Sequence, residues 1–427
     1  MKSKAILAIL LTFFVGNGQF SSIAEARENA PIILKELKSP TGPGAREPHL
    51  FASPDGKIFM SWMEPAEGDR FAVRFAVGDA KGWSEPRTVT AANDLFVNWA
   101  DFPSITALKD GTLAVHWLRK NNGKSHGYDV NIALSKDGGK TWSEPVVPHR
   151  DGTAKEHGFV SLLPLPDMRV FMIWLDGRAH SGAESFAAGK EATHDAMQLR
   201  FATLGKDGAL SDETVLDPTT CTCCKTAAAL TPGGAVVAYR GRTKDDIRDI
   251  NVLRLDRGSW SKPVNVHNDG WQIHGCPVNG PAIGANGKHV AVAWFTAARD
   301  MPRMNVAFSQ DGGKAFGAPI RSDEGSPQGR VGITLLADGS ALVSWMEMKG
   351  FGETLLTRRV DPNGSRGPVT TMASNARGRT SGFPQIVRSG DDIYYAWTES
   401  EASSSGTRSG PQGGTLNVRT AIATLRK

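Results

Sequence analysis

One unit recurs seven times along this chain, and that recurrence limits the fold more than any other feature. Each copy is a short apolar strand, a turn with Asp-Gly or Gly, and an alternating strand that ends in an aromatic residue. The copies read HLFASPDGKIFMSWME to Trp62, SITALKDGTLAVHWLR to Trp117, VSLLPLPDMRVFMIWLD to Trp174 and KTAAALTPGGAVVAYRG to Tyr239. Three more are GPAIGANGKHVAVAWFT to Trp294, GITLLADGSALVSWME to Trp345 and PQIVRSGDDIYYAWTE to Trp397. The anchors lie 55, 57, 65, 55, 51 and 52 residues apart, a period of the size that propeller blades have. Turn residues between alternating apolar runs make each copy an antiparallel hairpin. A third strand follows in most copies, as in RFAVRFAVG, DVNIALS, MQLRFATL, DINVLRLD and MNVAFSQ, and a short fourth in PVVP and KPVNV. The expectation is an all-β chain: a β-propeller of seven four-stranded antiparallel blades spanning residues 27–427 as one domain, its ring closed so that no long sheet edge is left open. The segment PIILKELKS, residues 31–39, has no hairpin of its own and is expected to complete the last blade as its outer strand.

Residues 1–26 have the layout of a secretory signal peptide: Lys2 and Lys4, the apolar run AILAILLTFFVG, and small residues at Ala24 and Ala26. The apolar run is shorter than the roughly 18 to 20 residues a membrane anchor needs, and no later segment is apolar enough to span a bilayer. The mature chain is therefore expected in a periplasm or outside the cell, where disulfides are permitted. The net charge of +5 is small and the 49 basic residues are dispersed, so nucleic acid is not implied as a partner. A monomer is expected.

The stretch SKDGGKTWSEP (135–145) has the form S-x-D-G-G-x-T-W, and SQDGGKAFGAP (309–319), GDAKGWSEP (78–86) and LDRGSWSKP (255–263) are weaker copies. This form resembles the Asp box, or BNR repeat, of the bacterial sialidase superfamily. The motif itself is structural: Asp137 can bond backbone amides, Gly138 and Gly139 allow positive φ, and Trp142 packs between sheets. The resemblance implies six blades and an exo-α-sialidase type of glycoside hydrolase, with an Arg triad that grips the substrate carboxylate, a Tyr nucleophile assisted by Glu, and an Asp acid/base. AREPHLFASPDG (45–56) resembles the family's Arg-Ile-Pro entry, with Arg46 in the Arg position and Glu47 in place of the apolar residue.

Propeller ligands bind where the loops leading into the innermost strands converge on the channel. Positions 15 to 18 residues before each anchor are Arg46 and Glu47, with His49 close behind; Trp99 and Asp101; Glu156 and His157; Cys221, Cys223 and Cys224; Cys276 and Asn279; Arg330; and Arg379. Arg46, Arg330 and Arg379 form a candidate anion clamp for an acidic sugar, with Asp101 or Glu156 as acid/base and Glu47, His157 and Asn279 as further substrate contacts. Of the tyrosines, Tyr239, Tyr394 and Tyr395 lie inside second strands, which leaves Tyr128; no Tyr/Glu pair stands out.

The four cysteines have two readings. Cys221 and Cys276 both lie 18 residues before their anchors, in equivalent positions of adjacent blades. Two disulfides are the first reading, with Cys276 bridged to Cys221 or Cys223 and the remaining two cysteines forming the second. In the other, Cys221, Cys223, Cys224 and Cys276 with His274 hold Cu or Zn. A free thiolate ranks last, because Lys225 and His274 are the cations expected nearby. The loop YRGRTKDDIRDI (239–250), beside the cysteines, is read as solvated ion pairs or as lining of the pocket. The insertion at 177–197, with His180 and His194, is read as a lid or a surface loop, and the Ser/Gly-rich 400–414 as a loop. The leading function is recognition, with possible hydrolysis, of an anionic glycan. The alternative is a non-catalytic propeller that binds a metal or a protein partner through its Cys-rich mouth.

Overall fold

The computed structural model describes residues 32–122, 127–179, 197–211, 213–350, 352–375, 381–400 and 415–424. Residues 1–26, Arg379, His180, His194 and most of 400–414 lie outside them. The described chain is all β apart from one 3-10 turn at Ala298–Asp300, and no helix is long and apolar enough to cross a membrane.

The strands form seven antiparallel sheets. Their first strands are Arg46–Ala52, Ser104–Ala107, His157–Pro164, Ala227–Thr231, Ala282–Asn286, Pro327–Leu335 and Gln385–Ser389. Each first strand packs against those of its neighbours, so these strands ring the axis. The blade number is seven, which corrects the six implied by the sialidase resemblance: Tyr239 anchors a full sheet in the position that Trp holds elsewhere. Blade two has three strands, and its fourth is reduced to a bridge between Ile132 and Val146. Leu34–Leu37 pairs with Leu416–Thr424, from Leu34 opposite Ala423 to Leu37 opposite Thr420, and so closes blade seven with the start of the chain.

The alternation of the second strands has a direct result. Trp62, Trp174, Trp294 and Trp345 are wholly buried, and the hydrophobic clusters join adjacent blades, the one between blades three and four also taking in Ala100 and Phe383 from the entries to blades two and seven. One unites Phe59, Val73 and Phe75 of blade one with Ile105, Val115 and Trp117 of blade two. Burial of such large side chains stabilises each blade contact by about 2–3 kcal/mol per residue. Three anchors belong to a Trp-x-acid pattern whose indole N–H is satisfied locally: Trp62 donates to Glu64 at 2.7 Å, Trp174 to Asp176 at 2.9 Å and Trp345 to Glu347 at 2.8 Å.

The turn at 135–142 folds as its residues suggest. Asp137 accepts from Lys140 N and Thr141 N at 3.0 Å and from Thr141 Oγ1 at 2.6 Å. Trp142 packs edge-on against Phe75 of blade one at 5.8 Å. Asp311 makes the same backbone bonds to Lys314 and Ala315 in blade five.

At the entry to the inner strands a second feature repeats. Glu47, Phe159 and Arg330 have φ of 57°, 54° and 54°, and the pairing register of each strand slips there. Each lies 15 residues before its Trp anchor. Gly382 holds the same place in blade seven at φ 56°. These are β-bulges, which re-aim side chains where a strand begins.

Candidate functional site

The bulges tie neighbouring blades together at three places round the axis. The amide of each bulged residue is caught by a side chain from the preceding blade: Glu47 N donates to Thr398 Oγ1 at 3.1 Å, Phe159 N to Asp101 Oδ2 at 2.7 Å, and Arg330 N to Asn279 Oδ1 at 2.9 Å. Side chains also reach across the axis. Arg330 stacks its guanidinium on Trp99 at 5.2 Å, Trp99 stacks on Phe383 at 5.9 Å, and Lys225 lies over Phe383 at 5.3 Å while donating to Val331 O at 3.1 Å. Aromatic faces and two cations therefore bridge the channel at this level.

Beside them sits an acidic pocket. Asp101 is buried, and burial pushes its carboxyl up to about 8, with the Phe159 amide opposing the rise and Glu156 adding to it. Burial also raises Glu47 well above the usual carboxylate range, against Arg46 and reinforced by Asp101. Tyr128 donates its hydroxyl to Glu156 Oε1 at 2.6 Å and stacks on Phe96 at 4.0 Å. A Cβ on Gly158 would stand 2.2 Å from Asp101 Oδ2 and 3.3 Å from the Tyr128 hydroxyl, so both groups line one spot that only glycine leaves open. Burial lowers Lys225 to about 8 and keeps His49 and His116 neutral, each near 3.

The expected site residues separate. Asp101, Glu156 and Glu47 come together, with Tyr128, which forms a Tyr/Glu pair the sequence did not display. Arg330 reaches the axis held by Glu353 at 2.8 Å and Ser381 at 2.8 Å. Arg46 donates to Gly44 O at 3.1 Å and packs over Phe71 at 5.2 Å; Arg379 lies outside the described residues. Asn279 serves as a clasp: besides the Arg330 amide it donates to Gln328 O, and its carbonyl receives Arg240. His157 is fully buried against carboxylates, behind the pocket. Lys225 enters the channel from 14 residues before Tyr239, just inside the 15-to-18 spacing that marks most of the ring positions.

The sulfur cluster is two pairs. Cys223 is bonded to Cys276, one of the two bridges expected for Cys276. Cys221 and Cys224 are buried thiols 3.4 Å apart. Arg248 Nη1 donates to Cys221 Sγ at 3.4 Å. Burial opposes ionisation of Cys221, yet the Cys224 hydrogen bond and the charges of Arg248 and Arg240 outweigh it and draw the thiol down to about 5. Burial and the adjacent Cys221 push Cys224 up. The expectation that only Lys225 and His274 would influence these thiols is corrected. His274 is exposed and pairs with Asp246 at 2.9 Å, whereas the loop read as solvated ion pairs turns inward and buries Arg240 and Arg248. As a metal site the cluster keeps two thiols, since the disulfide withdraws Cys223 and Cys276.

No family model and no curated protein matches this sequence. Solved structures do. An ulvan lyase from a polysaccharide-lyase family is similar at TM-score 0.53 with 9% identity, covering 90% of this chain and 95% of that one. A Dyadobacter fermentans protein of unknown function gives 0.49 with 14% identity over 93% and 99%. The intramolecular trans-sialidase of Ruminococcus gnavus gives 0.46 with 13% identity over 74% and 93%. At 9% identity the likeness to the ulvan lyase shows the fold alone.

Proposed function

We infer that the chain is a glycan-acting propeller that binds an anionic sugar beside the half-buried Trp99 and cleaves it with two carboxylates. The observation that carries this reading is Asp101, whose carboxyl stays protonated to about pH 8 beside the Tyr128–Glu156 pair. A buried carboxylic acid that is neutral at pH 7 is suited to protonate a leaving oxygen. Glu156, half-buried and held by the Tyr128 hydroxyl, takes the role of base or nucleophile in the two-carboxylate scheme. Tyr128 itself is buried with its proton held high, so it positions Glu156 and does not attack. The exposed part of Trp99 offers apolar surface to a sugar ring, while Lys225 and Arg330 supply positive charge for its carboxylate. The polysaccharide lyase and trans-sialidase among the structural neighbours agree with a glycan. With residues 1–26 read as an export signal, the site meets its ligand outside the cytoplasm.

The test is a panel of fluorogenic sialosides and uronate-containing oligosaccharides, followed for released label and for the ultraviolet absorbance of an unsaturated uronate. Hydrolysis that falls by about 10²- to 10⁴-fold in kcat in Asp101→Asn, with KM little changed, is expected. Turnover that survives this substitution, or no turnover and no glycan binding sensitive to Lys225→Met, overturns the reading.

A further inference from the structure

The cysteines at the entries to blades four and five differ in exposure as well as in bonding. Cys223 and Cys276, bonded to each other, are half-buried at the mouth. Cys221 and Cys224 are fully buried thiols with their sulfurs 3.4 Å apart. The two thiols have the Cys-x-x-Cys spacing of redox pairs, and Cys223 is one of the two residues between them. The sulfurs of Cys221, Cys223 and Cys224 all lie within 4.8 Å of one another. One end of the disulfide is therefore within reach of both thiols. Arg248 Nη1 donates to Cys221 Sγ at 3.4 Å, and Arg240 lies buried beside it, bonded to the carbonyls of Asn279, Arg248 and Phe295. Both guanidinium groups favour a negative sulfur at Cys221, and the thiolate is the form that attacks a disulfide.

We propose that the four cysteines form a dithiol–disulfide relay, a redox site that meets a small disulfide at the mouth and reduces it with electrons held by the buried pair. In the first step the Cys221 thiolate attacks Cys223 Sγ. A Cys221–Cys223 bond forms, the Cys223–Cys276 bond breaks, and Cys276 leaves as a thiolate. Cys224 then attacks Cys221 across the 3.4 Å gap, forms the Cys221–Cys224 bond and frees Cys223. The two protons of the buried pair end on Cys223 and Cys276, so this internal exchange needs no outside oxidant. The mouth dithiol next meets the small disulfide. One cysteine displaces a first thiol and forms a mixed disulfide; the other displaces the second thiol and remakes the Cys223–Cys276 bond. The protein ends with two disulfides and the small disulfide as two thiols.

Buried thiols with no route outward are inert. Cys223 is that route, because it is half-buried and adjoins Cys224 in the chain. Lys225 follows Cys224 and Asn279 lies three residues after Cys276, so the relay borders the channel. It stands whether or not the glycan reading does.

Native protein is incubated with oxidised glutathione, and the glutathione released is counted. Two equivalents per chain and loss of both protein thiols are expected. The rate should fall by about 10-fold or more in Cys223→Ser/Cys276→Ser, whose buried thiols have lost their route. Oxidation as fast in that variant while it remains folded, or no oxidation of the wild type, overturns the relay. A second measurement does not depend on that variant folding: native wild-type protein is alkylated with N-ethylmaleimide, denatured and peptide-mapped. Adducts on Cys223 and Cys276 in chains that carry a Cys221–Cys224 bond are expected, with loss of these adducts in Cys221→Ser. Adducts on Cys221 and Cys224 with Cys223–Cys276 intact, no adduct at all, or mouth adducts undiminished in Cys221→Ser overturn the proposal as well.

Discussion

Burial sets the chemistry of single residues here more than neighbours in sequence do. Asp101 ordinarily titrates near 3.8 and is raised to about 8. Between those values the folded protein keeps a proton that the unfolded chain has released, so the stability Asp101 contributes is complete below about pH 4 and is lost as pH rises through about 8. Thermal scans from pH 5 to 9 should therefore show Tm of the wild type falling more steeply than that of Asp101→Asn; parallel curves would contradict the buried, protonated acid. The thiols give a second expectation. Denatured, unreduced protein should titrate two free thiols, Cys221 and Cys224, and in the native protein Arg248→Met should move the thiolate absorbance midpoint of Cys221 upward from about 5. The ring positions of Asp101, Glu156 and Arg330 were legible because the repeat supplies a register. Arg248, the Tyr128–Glu156 bond and the His149–His157 stack were not, because each joins segments that only the closed fold brings together.

Among the elements, the hairpins were readable and the bulges were not. Asp-Gly turns between alternating runs announce a hairpin, and the third strands of blades one to five fall where their apolar alternation placed them. The bulges at Glu47, Phe159 and Arg330 carry positive φ on residues that do not advertise it. They are held from the preceding blade by Thr398, Asp101 and Asn279, partners far away in sequence. The turn at 135–142 shows the opposite, a local motif with a tertiary requirement. A Cβ on Gly139, at φ 84°, would stand 2.2 Å from Phe75 Cζ of blade one. Gly139→Ala should cost about 1–3 kcal/mol in denaturant unfolding, with the m-value unchanged, whereas Gly111→Ala, at φ 87° with open space around it, pays the backbone strain alone and should cost less.

For the molecule as a whole, the seven inter-blade clusters make stability a property of the ring, since each blade buries its faces chiefly against its two neighbours. Deleting residues 32–38 should therefore strip the outer strand from blade seven, lower Tm and leave an exposed edge that promotes association, read by calorimetry and light scattering. A monomer of unchanged Tm would show that the pairing is dispensable. The same pairing has a temporal side. Leu34 lies opposite Ala423, so a segment made before the first blade must wait for one made after the sixth before the ring can close. A contact of such long sequence separation is late and slow to form. The order of translation thus makes the final blade a checkpoint: until it is sealed, six finished blades still present raw edges, and a holding chaperone has its clearest window there.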